Sequence, residues 1–126
     1  MSRDRIDLGI LGETKAADFL KSKGYKILAR NYRTKLGEID IVALDRGTVC
    51  FVEVKARSTD KFGSPVEAIS GFKMKQISRA ALLYLKDRKI TDRSARFDVV
   101  SVVFNNNRPE ISLIQNAFEL EQRFAL

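Results

Sequence analysis

Glu38-Ile39-Asp40-Ile41-Val42-Ala43-Leu44, then Asp45-Arg46-Gly47-Thr48, then Val49-Cys50-Phe51-Val52-Glu53-Val54-Lys55, reads as two β-prone runs joined by a turn-forming cluster. This pattern predicts a hairpin. With an even number of loop residues, either Arg46-Gly47 or all four from Asp45 to Thr48, symmetric pairing sets Leu44 against Val49, Val42 against Phe51, Asp40 against Glu53 and Glu38 against Lys55. The other face holds Ile39, Ile41, Ala43, Cys50, Val52 and Val54, all apolar and expected to be buried. A hairpin apolar on both faces belongs at the centre of a sheet covered on both sides. Glu38, Asp40, Glu53 and Lys55 then lie at least partly beneath protein, where charge is costly unless compensated.

Two readings of this charged end stand side by side. Opposed Cβ atoms lie about 4.5–5.5 Å apart, so Asp40 and Glu53 can share one hard cation, Mg2+ or Mn2+, which removes their mutual repulsion. Lys55, two residues beyond Glu53, shares its face; its ammonium can hold or help deprotonate an attacking water and steady the charge on a phosphate. That makes a hydrolytic phosphodiester site. Alternatively the charges form a salt-bridge cluster in which Lys55 neutralises Glu53 or Glu38 and no chemistry follows.

The flanking segments bear on this choice. From Arg5 to Lys23, Ile6, Ile10, Ala17 and Leu20 mark one side of a helix that Gly24 ends. Glu13 interrupts that stripe: it either snorkels or pairs with an arginine, or it faces a polar site beneath the helix. Tyr25 to Arg33 reads as an edge strand or an extended arm. Ser58 to Gly63 is expected to be a loop, and Ser64-Pro65-Val66-Glu67 has the form of a capping box opening a helix through Leu85, with a break allowed at Ser70-Gly71. In that helix Lys73 and Gln76 extend the apolar line of Ile77, Ala80, Ala81 and Tyr84. Arg96 to Phe104 and Glu110 to Gln115 read as strands joined by a turn over Asn105 to Pro109, and Ala117 to Leu126 as a short terminal helix.

Composition sets the outer limits. A chain of 126 residues with 44% apolar and 31% charged residues fits one globular domain, 1–126. No apolar run approaches the roughly 18 residues that span a bilayer, and the charged N-terminus lacks the form of a secretion signal. The lone Cys50 fits a reducing compartment, so the expected location is the cytoplasm. With no histidine and only one cysteine, zinc sites of the usual kind and Ser-His or Cys-His catalysis are excluded. The 23 basic residues against 16 acidic ones suit a polyanionic partner.

Gly37-Glu38-Ile39-Asp40-Ile41-Val42 with Phe51-Val52-Glu53-Val54-Lys55-Ala56-Arg57 resembles the signature of the YraN-like proteins, assigned to the PD-(D/E)xK nuclease superfamily. Glu13, Gly24-Tyr25, Arg30-Asn31-Tyr32-Arg33, Gly63-Ser64-Pro65, Glu67-Ala68 and Arg96-Phe97-Asp98-Val99-Val100 extend the likeness over nearly the whole chain. The resemblance implies an α/β, restriction-endonuclease-like fold: a mixed sheet of about five strands flanked by helices, as in Holliday-junction resolvases. It also implies roles: Asp40 and Glu53 as metal ligands with the Val54 carbonyl, Lys55 as catalytic lysine, Glu13 as an additional helix-borne carboxylate and Gln76 as a helix-borne polar group. Ile39 stands where the superfamily name has proline.

The function so implied is Mg2+- or Mn2+-dependent endonucleolytic hydrolysis of DNA, rather than RNA, with branched or structured DNA preferred because no base-reading motif is present. Lys15, Arg30, Arg33, Arg57, Lys61, Lys73 and Lys75 are candidate phosphate contacts. A two-fold substrate such as a four-way junction would ask for a homodimer. The rival is a non-catalytic nucleic-acid-binding or adaptor protein on the same fold.

Overall fold

The computed structural model describes residues 3–58, 65–66, 69–105 and 108–119. Lys61, both Ser64 and Glu67 of the expected capping box, Asn106-Asn107 of the expected turn and the end of the expected terminal helix lie outside the described residues. Helix α1 spans Arg3–Ser22, and strands β1, β2 and β3 span Lys26–Arg33, Glu38–Asp45 and Thr48–Arg57; helix α2 spans Gly71–Asp87, and β4 and β5 span Ala95–Asn105 and Arg108–Phe118. The strands form one five-stranded sheet in the order β1-β2-β3-β4-β5. All neighbours are antiparallel except β3 and β4, which are parallel and joined by the crossover through α2. This mixed sheet with helices on both faces is the architecture the sequence implied. Among the described residues no helix is long and apolar enough to cross a membrane.

The alternation of β3 divides the core into two layers. Cys50 and Val52 pack with Ala16, Ala17 and Leu20 of α1, whereas Val49 and Phe51 pack with Ile77, Ala80, Ala81 and Tyr84 of α2. Phe51 meets Tyr84 edge-on, with ring centroids 5.8 Å apart. β3 is therefore covered on both sides. The turn is the two-residue Arg46-Gly47, with φ of 50° and 88°, the left-handed pair that a tight hairpin requires; Asp45 pairs with Thr48, and Leu44 and Val42 oppose Val49 and Phe51 as expected.

Several expectations are corrected. Ile10 is 61% exposed: Gly12 and Ala16 are small enough to let α1 lie directly on the sheet, and this turns the buried arc away from Ile10. A Cβ on Gly12 would sit 2.5 Å from that of Ala56. α2 begins at Gly71 rather than near Pro65, because Ser70 caps it by accepting the Lys73 N–H at 3.1 Å. β5 continues through Phe118, so no helix starts at Ala117. Ile39 packs in the α2 layer and not beside Ile41. The facing slips across Asn31, which has a φ of 53°, and Asp40, because both lie between the pairs Arg30–Ile41 and Tyr32–Ile39.

A polar network closes the turn end of the sheet. Fully buried Asp98 accepts from Arg96 Nε at 3.0 and 3.2 Å and from the Asn116 N–H at 3.0 Å. Arg96 Nη2 donates to Asp45 at 2.8 Å and to the Tyr25 hydroxyl at 2.7 Å. A buried carboxylate held by this many donors ties β2, β4, β5 and Tyr25, the residue just before β1, together.

At the other end, Gly37 lets α2 approach the β1–β2 turn. A Cβ there would stand 2.6 Å from the Gln76 carbonyl oxygen. Gly37→Ala is expected to lose about 1–3 kcal/mol in urea unfolding and to shift α2 outward; unchanged stability would show that the helix gives way freely.

Candidate active site

The β2–β3 ladder stops at Ile41 and Val52, one pair short of Asp40 and Glu53. Beyond it the strands part. Asp40 turns a carboxylate oxygen onto the Val54 N–H at 2.8 Å, replacing a ladder hydrogen bond with one from its own side chain. Glu53 is 4% exposed and points to the α2 side of the sheet, as Phe51 does. Burial first, and then its hydrogen-bonding contact with Asp40, push the Glu53 carboxyl up to about 9, against the pull of the Lys73 and Lys55 ammoniums. The Lys73 ammonium lies 3.7 Å from Glu53.

Glu13 approaches from α1. Burial and the Asp40 carboxylate raise its proton affinity, while Arg30 and a hydrogen bond from Asn31 oppose the rise. Its Oε1 is buried without a hydrogen-bond partner. Such an atom is an acceptor awaiting a donor or a cation. Among the described residues no three side chains of Asp, Glu, His or Cys gather into one metal shell. The pair Asp40–Glu53 is thus the centre, with Glu13 as its neighbour from the opposite helix. Two adjoining carboxyl groups, one of them buried and holding its proton tightly, offer hard oxygen donors chemically suited to Mg2+ or Mn2+, with the main chain at Val54 alongside.

A cleft of about 330 Å3, lined by Arg33, Thr34, Lys35, Gly37, Glu38, Lys73 and Gln76, reaches the acidic pair through Lys73, while Asp40 and Glu53 themselves do not line it. Gln76 thus stands in the cleft, and Lys73 links it to Glu53. Glu38 does not pair with Lys55: with the strands parted it takes Arg33 of β1, Nε to Oε1 at 3.3 Å. Lys55 is half-buried and acts electrostatically on Glu53. Of the candidate phosphate contacts, Lys15, Arg30 and Arg33 are exposed and Lys73 and Lys75 are half-buried on α2. Arg57 lines a different cleft with Ser101, Glu110 and Ser112.

Sequence reasoning gave Asn31 no part beside Glu13. Its signal was an asparagine inside a β-prone run, a residue that tolerates the left-handed conformation.

The chain matches the model of the uncharacterised protein family UPF0102 over residues 12–102. It belongs to that family. A UPF0102 protein of Geobacter metallireducens is 48% identical over 120 residues, covering 95% of this chain and 98% of the relative. One from Desulfosudis oleivorans is 50% identical over 119 residues, 94% of this chain and 95% of the relative; one from Caldicellulosiruptor saccharolyticus is 48% identical over 117 residues, 91% and 99%. Relatives of this length place the whole Asp40–Glu53–Lys55 hairpin of this UPF0102 chain inside the family region.

Proposed function

We propose that this UPF0102 chain is a metal-dependent nuclease of the PD-(D/E)xK superfamily that hydrolyses phosphodiester bonds of structured DNA in the cytoplasm. The observation that carries this reading is the buried Glu53 carboxyl held against Asp40 where the hairpin parts, beside a cleft lined by Arg33, Lys35 and Lys73. A fold that needed only stability would be better served by apolar residues there.

Asp40, Glu53 and the Val54 carbonyl would hold Mg2+ or Mn2+, with Glu13 behind them. Bound there, the ion supplies Lewis-acid charge and lowers the pKa of water. Lys55 steadies the negative charge of the phosphate and helps orient the attacking water. Lys73 holds Glu53, and Gln76, Arg33 and Lys35 contact the strand. Action on a four-way junction would take two copies of the chain.

A second reading rests on the Lys73–Glu53 contact, which also suits an adaptor whose acidic pair is merely held in place. Incubation of the purified chain with flapped, branched and blunt DNA separates the two. The nuclease nicks with Mn2+ or Mg2+ and stops in EDTA. The adaptor binds with a salt slope of about 0.9 per phosphate contact and cuts nothing; no nicking of any DNA by the correctly folded, metal-supplied chain would sink the nuclease reading.

A further inference from the structure

Phe72 is 69% exposed, the most exposed of the large apolar side chains among the described residues. A single exposed apolar residue needs no account by itself, but this one has a particular place. It is the second residue of α2, between the capping Ser70 and Lys73, whose ammonium lies 3.7 Å from Glu53. Side chains four apart stand in one row on a helix, so Phe72 is in the row of Gln76, which lines the cleft with Arg33, Lys35 and Lys73. Helical side chains lean toward the N-terminus, which sets the ring one turn before Gln76, at the start of α2 and outside the cleft's own lining. Arg33 pairs with Glu38 and Lys73 stands by Glu53, yet with Lys35 the cations still outnumber these carboxylates, so the cleft suits a phosphate backbone.

We propose that Phe72 is a stacking platform for an unpaired base of a nucleic-acid strand whose phosphates follow Arg33, Lys35 and Lys73. The inference deepens the nuclease reading and rests on it. A base inside a duplex is already stacked on both sides, whereas a base in a flap, gap or branch has a face free for an aromatic ring. Selection of single-stranded or branched segments near the acidic pair follows without sequence reading.

The chain has no tryptophan, so Phe72→Trp creates a sole reporter at the proposed contact. In EDTA, to prevent cutting, an oligo-dT strand is expected to quench that fluorescence more strongly than blunt duplex of equal phosphate content. Phe72→Ala is expected to lower the ratio of flapped-to-blunt DNA affinity about tenfold, and Phe72→Trp to retain it. Thermal unfolding of both variants checks the fold; should the alanine variant unfold, the tryptophan quench decides. Indole fluorescence of Phe72→Trp that oligo-dT leaves unquenched, or a ratio unchanged in folded Phe72→Ala, overturns the proposal while nicking by the unaltered chain leaves the nuclease reading standing. If the unaltered chain binds no nucleic acid, both fall.

Discussion

Asp40→Asn is expected to bind structured DNA as the unaltered chain does and to nick it at least about 1000-fold more slowly. Asparagine keeps an oxygen for the Val54 N–H, which Asp40 now receives at 2.8 Å, so the parted strands retain their local bond. It removes the negative charge that, after burial, helps hold the Glu53 proton. The variant should be no less stable than the parent, and its lost rate then belongs to chemistry. Lys55→Ala should lose about 100- to 1000-fold, again with DNA retained on a filter or gel, because Lys55 is assigned to the reacting phosphate and not to the binding cleft. Intact nicking in either folded variant would refute these roles.

The hairpin was legible in the sequence because strand alternation has a period of two, and a symmetric turn propagates register from Leu44–Val49 outward. That was enough to bring Asp40 and Glu53 together. Alternation carries parity only, and it failed where parity slips: Ile39 turned to the α2 layer because Asn31 adopts a left-handed backbone beside Asp40. Lys73 was visible as a polar residue in an apolar stripe. Its grip on Glu53 depends on where the crossover sets α2, and local spacing does not encode that. Tyr25, Asp45, Arg96, Asp98 and Gln115 converge from four places in the chain, and an aspartate in a β-prone run looks the same whether buried or exposed. The capping rules set one helix start at Ser64, with only a break allowed at Ser70-Gly71. The allowed break, at Ser70, is where α2 begins.

Two glycines make the site possible at its scale. Gly12 sets α1 on Ala56, beside Lys55, and Gly37 sets the β1–β2 turn on Gln76. Each removes a side chain where a helix must come close to carry a polar group inward: Glu13 follows Gly12, and Gln76 itself meets Gly37. Glu53 is therefore enclosed while Asp40 beside it stays half-buried, and that enclosure is the first cause of the raised proton affinity of Glu53, ahead of its contact with Asp40.

The same enclosure ties metal binding to pH. The folded metal-free chain keeps the Glu53 proton to about 9, whereas an unfolded glutamate releases it near its ordinary value of 4.5. Between these values the folded state binds more protons than the unfolded one, so this group's contribution makes metal-free stability fall as pH rises. A metal that needs the carboxylate has the opposite dependence: it must displace the proton, and its apparent affinity climbs up to about tenfold per pH unit below 9. At a fixed millimolar Mg2+ concentration above the dissociation constant, the metal-induced rise in melting midpoint should therefore be roughly 4 °C larger per pH unit between about pH 6.5 and 8. Glu53→Gln has no such proton to lose, and its Mg2+ response should be small and flat over that range. A parent midpoint shift equal at both pH values would mean that Glu53 is not the group the cation meets.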